Sequence, residues 1–266
     1  MAITTVKIGR LEYLTAENIP AIHCFTTRLG GVSEGYLASM NLGAHRGDTP
    51  ENVGKNFQIL ADALGFDARN LVLTRQTHSA IVRKVCQNDA RGVDNHDYPE
   101  CDGLITNDPG TALAVFSADC TPVLLQDPVT GAVGAAHAGW RGTAAKIGAK
   151  TVQAMVDAYG CRPENIRAAI GPNIGPCCFE TDSDVPDAMR KAFGAAAEAF
   201  IRTAGDKYYV NLKALNALVL TRAGVRDIVI SEDCTVCQCH RFWSHRVTKG
   251  IRGSQGALLV CKEAAK

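Results

Sequence analysis

Two apolar runs joined by a short turn constrain the fold of this chain more than any other feature of its sequence. The runs are "TALAVFSADCTPVLLQ" (111–126) and "AVGAAHAGW" (132–140), and "DPVTG" (127–131) lies between them. Apolar runs punctuated by Asp, Pro and Gly are typical of buried strands that neighbour each other, as in a hairpin. A helical spacing of apolar residues that starts near Gly142 and ends at Gly160 predicts that a helix follows directly.

The remaining segments mix strand-like and helix-like patterns, which predicts an α+β fold. A short strand is expected over 22–26, and Thr49 with Pro50 forms a favourable start for a helix that Gly65 ends. Further helices are predicted over 183–200 and 211–224, and a late strand over 225–232. No repeat, linker or shift in composition divides the chain, so we predict one domain over 1–266, built as a layered α/β sandwich.

Charge and composition favour small-molecule partners. The net charge is +1, so no general attraction to nucleic acid or to an acidic membrane surface is expected. No apolar stretch is long enough to span a bilayer, and "MAITTVKIGRLEY" lacks the order of a signal peptide, so we expect a cytoplasmic protein. The eleven cysteines are an odd number, and most are expected to be reduced and buried.

Three residues occupy positions where an apolar strand gives way to a loop: His78, Cys120 and His137. Two imidazoles and a thiolate are a suitable ligand set for Zn²⁺, and three protein ligands leave a fourth position for water or substrate. Spacing alone leaves alternatives open. The three residues could be unrelated core and turn residues, or Cys120 could be a nucleophile with His137 as its base and Asp119 orienting the imidazole.

The stretch "HAGWRGT" suggests an anion site. Glycines allow a ligand to approach the backbone, and a helix that begins near Thr143 would offer free N–H groups. Arg141, with Gly142 and Thr143, would then bind phosphate. A simple helix cap with a surface arginine is an equal alternative.

Two further cysteine groups are expected to be structural rather than metal-binding. Cys234, Cys237, Cys239 and His240 lie close together in "DCTVCQCHRFWSHR", but a structural zinc site normally needs a second matched pair, and none is evident. The adjacent Cys177 and Cys178 are interpreted as local packing.

Several blocks, taken in order, resemble the YfiH-type proteins, a family described as purine nucleoside phosphorylases and earlier as polyphenol oxidases or multicopper laccases. The blocks are "TRLGGVSEGYLASMNLGAHRGDTPENVGKN", "RQTHSA", "CDGLIT", "SADCTPVLL", "AAHAGWRGT", "AAIGPNIGPCCFE", "FWSHR" and "RGSQGALL". The resemblance implies a layered α+β sandwich of mixed sheets, once described as a cysteine hydrolase fold.

The resemblance to this family also implies a catalytic zinc site formed by His78, Cys120 and His137, with copper as the other metal associated with the family. The implied activity is phosphorolysis of adenosine, inosine and methylthioadenosine, with adenosine deamination as a side activity. Arg28, Asn41 and Gln76 lie in family blocks and are expected to line the pocket. An acid/base group is expected among Asp102, Asp119 and Glu180.

Two other enzyme classes are retained as hypotheses. One is a metal-free cysteine hydrolase that edits peptidoglycan precursors, and the other is a copper-dependent polyphenol oxidase. The chain has seven histidines, a thin supply for a laccase with several copper ions. The expected partners are nucleoside and phosphate, and the expected assembly is a monomer or a homodimer.

Overall fold

The computed structural model describes residues 2–93 and 97–262. Within these ranges the chain forms fifteen β-strands and six α-helices. The strands are β1 (Ile3–Ile8), β2 (Leu11–Ala16), β3 (His23–Thr26), β4 (Leu71–Leu73), β5 (Val82–Lys84), β6 (Gly103–Thr106), β7 (Ala112–Ser117), β8 (Thr121–Gln126), β9 (Val133–Ala138), β10 (Arg167–Ile170), β11 (Glu180–Thr181), β12 (Ile201–Ala204), β13 (Lys207–Val210), β14 (Asp227–Ile230) and β15 (Gln255–Val260). The helices are α1 (Pro50–Leu64), α2 (Trp140–Ala144), α3 (Ile147–Tyr159), α4 (Asp184–Phe193), α5 (Leu212–Arg222) and α6 (His245–Thr248).

Two six-stranded mixed sheets form the body of the fold. The first has the order β1-β2-β3-β15-β7-β4 and the second the order β14-β10-β8-β9-β6-β5. Most neighbours are antiparallel, but β4 runs parallel to β7, β5 to β6 and β10 to β14. A small third sheet has the order β11-β13-β12. The predicted α+β class with mixed sheets is confirmed.

The main core lies between the two large sheets, because β7 and β15 pack across β8 and β9. Its fully buried side chains include Leu113 and Leu258 from the first sheet and Leu104 and Leu124 from the second. Full burial of such a side chain contributes about 1.5–3 kcal/mol relative to exposure. The apolar positions of α3 and α5 cover the other face of the second sheet, which makes the fold layered.

The first apolar run is two strands in different sheets rather than one. β7 belongs to the first sheet and β8 to the second, and the chain crosses between them at residues 118–120. Asp119 has φ +86°, a left-handed conformation that Asp tolerates better than most residues and that allows the sharp change of direction. β8 and β9 form the predicted hairpin.

The helix predictions are confirmed in part. Thr49 Oγ1 accepts a hydrogen bond from the Asn52 N–H at the start of α1, and Gly65 ends this helix with φ +75°. The helix after β9 begins at Trp140 rather than near Thr143, and left-handed Lys146 separates α2 from α3. The helix predicted over 183–200 ends at Phe193, where Gly194 adopts φ +63° and a 3-10 segment follows. None of the described helices has the length and apolar character needed to cross a membrane.

Candidate functional site

The side chains of His78, Cys120 and His137 meet where the two large sheets adjoin. His78 follows β4, Cys120 lies in the link between β7 and β8, and His137 is on β9. Their ligand atoms all lie within 4.8 Å of one another, and Cys120 Sγ is 3.8 Å from His78 Nε2. The two imidazole rings are edge to face with centroids 5.0 Å apart. His137 is buried whereas His78 is exposed, so the cluster opens to one side.

The buried carboxylate of Asp102 positions both histidines. The backbone N–H groups of Thr77, His78 and Ser79 all donate to it, at 3.1, 3.1 and 2.7 Å. These bonds hold the loop in which His78 adopts φ +59°. Asp102 Oδ1 is also 2.8 Å from His137 Nδ1. An Nδ1 proton shared with this carboxylate leaves the Nε2 lone pair of His137 free for a ligand, the usual arrangement around metal-bound histidine.

The pKa values of Cys120, His137 and Asp102 are all shifted towards the charged forms of these groups. Burial works against ionisation of the Cys120 thiol, but the adjoining His137 outweighs it and lowers the pKa of Cys120. Burial is likewise outweighed at His137, where the Cys120 sulfur and Asp102 raise the pKa. Hydrogen bonds from His137 and Ser79 overcome burial at Asp102 and lower its pKa to about 2. The thiolate form of Cys120 is therefore available as a metal ligand at neutral pH, and a metal ion at the cluster would displace the proton that the charged form of His137 carries on Nε2.

The donor set and its spacing fit a zinc ion. Zn–S and Zn–N bonds of about 2.3 and 2.0–2.1 Å imply a separation of about 3.6 Å between sulfur and nitrogen ligands in a tetrahedral site. The distance between Cys120 Sγ and His78 Nε2 is 3.8 Å. Three ligands on one side of an ion leave a position open towards the exposed side.

That exposed side is a cavity of about 350 Å³. Volumes of about 300–1,000 Å³ are typical of small-molecule sites. Apolar and aromatic side chains form part of the wall, among them Leu42, Leu73, Tyr98 and Phe116. The polar part of the wall includes Thr74, Gln76, Ser117 and Ser254 together with the arginines Arg46, Arg75 and Arg252. Among the described lining residues there is no carboxylate.

Arg46 and Arg252 give this cavity its positive charge, and sequence reasoning missed both. Burial and the nearby Arg46 together lower the pKa of Arg252 to about 10, so it stays protonated at neutral pH. Arg252 Nε is buried without a hydrogen-bond partner within the described residues. Arg75 differs, because an ion pair of 2.7 Å with Glu100 already offsets its charge. Two adjacent guanidinium groups, one with a free buried donor, favour an anion.

Gly139 leaves room for His78 and Cys120 to approach each other. A Cβ at this position would stand 2.8 Å from His78 Cδ2 and 3.1 Å from Cys120 Sγ. Gly139 has φ −63°, so alanine would suit the backbone and only the space is restrictive. We therefore expect Gly139→Ala to weaken metal binding by about 1–3 kcal/mol, the usual cost of overpacking. Competition with a chelating dye measures this change.

Gly148→Ala is the matched control, since a Cβ there would meet side-chain atoms of Leu220 and Val219, the nearest at 3.3 Å, and neither residue belongs to the cluster. It should leave metal affinity unchanged. Equal metal affinity in Gly139→Ala and the unsubstituted protein would contradict the steric role of Gly139.

The structure places the predicted anion cradle beside the cavity but not in its wall. Arg141 is exposed and stacks on Trp140, with its guanidinium carbon 4.1 Å from the ring centroid. Gly142 is buried against backbone oxygens of Ser79 and His137. Thr143 is buried too, and its hydroxyl is bonded to Ala138 and Asn216. None of the three lines the cavity, and their role in phosphate binding stays a prediction.

The three other predicted pocket residues differ in position. Gln76 lines the cavity, but its amide is bonded to the backbone N–H and C=O of Phe116. Asn41 is buried behind the wall and holds the 43–46 loop through the N–H and C=O of Gly43. Arg28 donates to the carbonyls of Ala38 and Cys239 and lies over Trp243, outside the lining. The last two therefore support the site from a distance.

The expected acid/base carboxylates are also placed outside the cavity wall. Asp102 is fully enclosed by its donors. Asp119 accepts hydrogen bonds from the hydroxyls of Thr235 and Ser244 and from the Arg246 N–H, at 2.6, 3.1 and 2.7 Å. Glu180 is exposed and bonded to the Tyr209 hydroxyl. The first two thus orient neighbouring segments rather than face a ligand.

A second cluster consists of four cysteines, two from each of the groups that the sequence analysis treated as separate. The ligand atoms of Cys177, Cys178, Cys234 and Cys237 all lie within 4.8 Å of one another. The expectation that no matched pair accompanies Cys234 and Cys237 was wrong, because Cys177 and Cys178 supply it. Cys239 and His240 are not part of this cluster.

The protein thus has a two-sheet α+β fold with a cluster of two histidines and one cysteine where the sheets adjoin. The family model described as "Multi-copper polyphenol oxidoreductase laccase" matches residues 22–262. The chain belongs to this family, the YfiH-type proteins.

Named relatives resemble it over almost the whole chain. Purine nucleoside phosphorylase YlmD from Bacillus subtilis is 38% identical over 98% of this chain and 96% of that protein. Adenosine deaminase RL5, from an unknown prokaryotic organism, is 33% identical over 91% of this chain and 94% of its own. The crystal structure of YlmD from Geobacillus stearothermophilus has a TM-score of 0.92 at 36% identity, covering 97% of this chain and 99% of that one.

Proposed function

We propose that this protein is a zinc-dependent purine nucleoside phosphorylase that converts a nucleoside and phosphate to the free base and a ribose 1-phosphate type product. One observation carries the proposal: the cluster of His78, Cys120 and His137 faces the same cavity as Arg46 and Arg252. The cluster suits a metal ion, and the arginines suit an anionic co-substrate. The names of several relatives as purine nucleoside phosphorylases support the substrate class.

The two kinds of cavity wall suit the two substrates. Phe116, Leu42 and Leu73 offer an apolar surface for a planar base. Arg252 and Arg46 line the cavity and would bind phosphate by charge-assisted hydrogen bonds. Phosphate bound near the metal cluster would be held ready to attack the ribose C1′ carbon. The C1′–O bond to phosphate forms as the glycosidic C–N bond breaks, and the base takes up the proton that hydrogen phosphate loses.

The chain's own residues would lower the barrier by positioning and charge. Asp102 keeps His137 in one tautomer and fixes the His78 loop, so the ligand set needs little rearrangement. Arg46 and Arg252 would balance the negative charge of phosphate in the cavity. A zinc ion at the cluster would supply Lewis-acid stabilisation of negative charge.

The direct test measures base release from adenosine and inosine with and without phosphate, alongside metal content. We expect release that depends on phosphate, about one zinc ion per chain at this cluster, and loss of activity with a chelator. Base release at the same rate with and without phosphate would contradict phosphorolysis. Copper in place of zinc, with oxidation of phenols as the main reaction, would instead favour the oxidase hypothesis.

Replacing Arg252 with alanine should raise the KM for phosphate by about 10–100-fold, since a hydrogen bond to a charged group contributes about 1.5–3 kcal/mol. The KM for nucleoside should change less, because the apolar wall is untouched. Steady-state kinetics with each substrate varied in turn measures both values.

Arg141→Ala provides the comparison, because the sequence alone assigned phosphate to that residue. If the cavity arginines bind phosphate, Arg141→Ala leaves the KM for phosphate unchanged. If the KM for phosphate rose in Arg141→Ala and not in Arg252→Ala, phosphate would instead bind at the start of α2.

Adenosine deamination is a second proposed activity, supported by the relative named adenosine deaminase RL5. Product analysis separates it, because deamination gives inosine and ammonia whereas phosphorolysis gives adenine. The cysteine hydrolase hypothesis also keeps support, since Cys120 is near two imidazoles. A chelator distinguishes it, because a metal-free nucleophile keeps its activity after metal removal.

A further inference from the structure

We propose that Cys177, Cys178, Cys234 and Cys237 form a second metal site, a structural zinc site separate from the cavity. Cys237 Sγ lies 3.6 Å from Cys177 Sγ and 3.4 Å from Cys178 Sγ. Four thiolates around zinc at about 2.3 Å would be about 3.8 Å apart in a tetrahedron. The measured separations, with all four sulfur atoms within 4.8 Å, are close to that arrangement.

The sheet topology explains why these distant cysteines meet. β10 and β14 are parallel neighbours, so the loops that follow them leave the same edge of the second sheet. An isolated parallel bridge between Asn173 and Cys234 extends the pairing beyond the strand ends. The turn that begins at Gly175 then presents Cys177 and Cys178 towards the 234–237 loop, because the N–H groups of Cys178 and Phe179 both donate to the Gly175 carbonyl.

The surroundings suit thiolate ligands. The Gly175 N–H donates to Cys234 Sγ at 3.2 Å. A Cβ at Gly175 would be 3.2 Å from Cys177 Sγ and 3.2 Å from Cys234 Cβ, so glycine leaves room for both side chains. Buried Lys213 donates to the carbonyls of Ser231 and Asp233, at 2.7 and 2.9 Å, beside Cys234. Its positive charge offsets part of the net negative charge of four thiolates with one divalent ion.

A full set of four sulfur ligands indicates a structural role, since catalytic zinc keeps a position open. The site would fasten two loops that also support the cavity. Thr235, next to Cys234, donates to Asp119, the neighbour of Cys120. Arg246 donates to the carbonyls of Cys178 and Glu180, and its own N–H binds Asp119. The proposal is independent of which reaction the cavity supports.

Cobalt substitution of the full-length protein tests this site, because thiolate-to-cobalt absorption grows with the number of sulfur ligands. The His137→Ala variant, in which the first cluster is broken, should still bind about one Co²⁺ ion per chain with a tetrathiolate spectrum. Cys178→Ser/Cys237→Ser should lose that spectrum and about one metal ion per chain. The same double variant should unfold at a lower temperature than the zinc-loaded protein.

Cys239→Ser is the matched control, since it changes a nearby cysteine outside the cluster and should keep both spectrum and metal content. The proposal is overturned if His137→Ala binds no cobalt with a tetrathiolate spectrum. It is also overturned if the double variant keeps the full metal content. A disulfide within the cluster, found by mass spectrometry in protein prepared with zinc under reducing conditions, would overturn it as well.

Discussion

Replacing Cys120 with alanine is expected to remove metal from the cavity cluster and to lower base release by more than about 100-fold. Partners one step removed from a metal typically change affinity or activity by about 10–100-fold, and a direct ligand should exceed that range. Cys120 is the single sulfur ligand of its cluster, and its thiolate form is favoured by His137. Metal analysis after dialysis and the initial rate of phosphorolysis measure the two effects.

Cys86→Ala is a suitable control, because this cysteine is exposed and does not line the cavity. It should keep metal content and rate. Thermal unfolding of both variants separates loss of a ligand from loss of the fold. If Cys120→Ala retained both metal and turnover, the metal cluster would not be the active centre.

Replacing Asp102 with asparagine should lower metal affinity by about 10–100-fold. The carboxylate accepts hydrogen bonds from three consecutive backbone N–H groups, the Ser79 hydroxyl and His137. Asparagine has one acceptor oxygen, and its NH₂ group faces donors. Both histidine ligands would then lose their fixed orientation. Titration of the variant with zinc against a competing chelator gives the change in affinity.

Asp102→Asn should also remove a contribution to the free energy of unfolding that is lost at acidic pH. The pKa of Asp102 is lowered from 3.8 to about 2 in the fold, so its ionised form is the stabilised one. This contribution is complete above the ordinary pKa and is lost as the pH falls towards about 2. Urea unfolding of metal-free protein across this range should show a smaller pH dependence in Asp102→Asn. An unchanged slope would rule out the charge interaction.

Local patterns in the sequence predicted the central hairpin of the second sheet and singled out the three residues of the cavity cluster, and the resemblance to the family joined those residues into one candidate metal site. The turn at 127–131 predicted the hairpin of β8 and β9, and strand ends identified His78, Cys120 and His137. A strand end near Cys120 was predicted, but the switch between sheets at Asp119 was not, because β7 and β8 have the same apolar pattern and the sequence between them does not show that they join different sheets. Only the left-handed backbone at Asp119 separates them.

Residues brought in by long-range pairing were the ones missed. Arg252 precedes β15 in a short irregular segment that has no periodic pattern, and only the insertion of β15 beside β7 carries it to the cavity. Cys177 and Cys234 meet only because β10 and β14 are parallel neighbours. By contrast, Arg141 had a strong local context, yet in the structure it stacks on Trp140 at the start of α2 and does not line the cavity.

The place of β15 also bears on the order in which the protein can assemble during synthesis. Its six residues lie between β3 and β7, so the first sheet cannot close until the ribosome has made Val260. All strands of the second sheet are made by Ile230. A nascent chain therefore carries two open strand edges beside a finished neighbour sheet, a state prone to wrong pairing. Because Arg252 and Ser254 arrive with β15, the cavity is completed only after the other strands of both large sheets have been made.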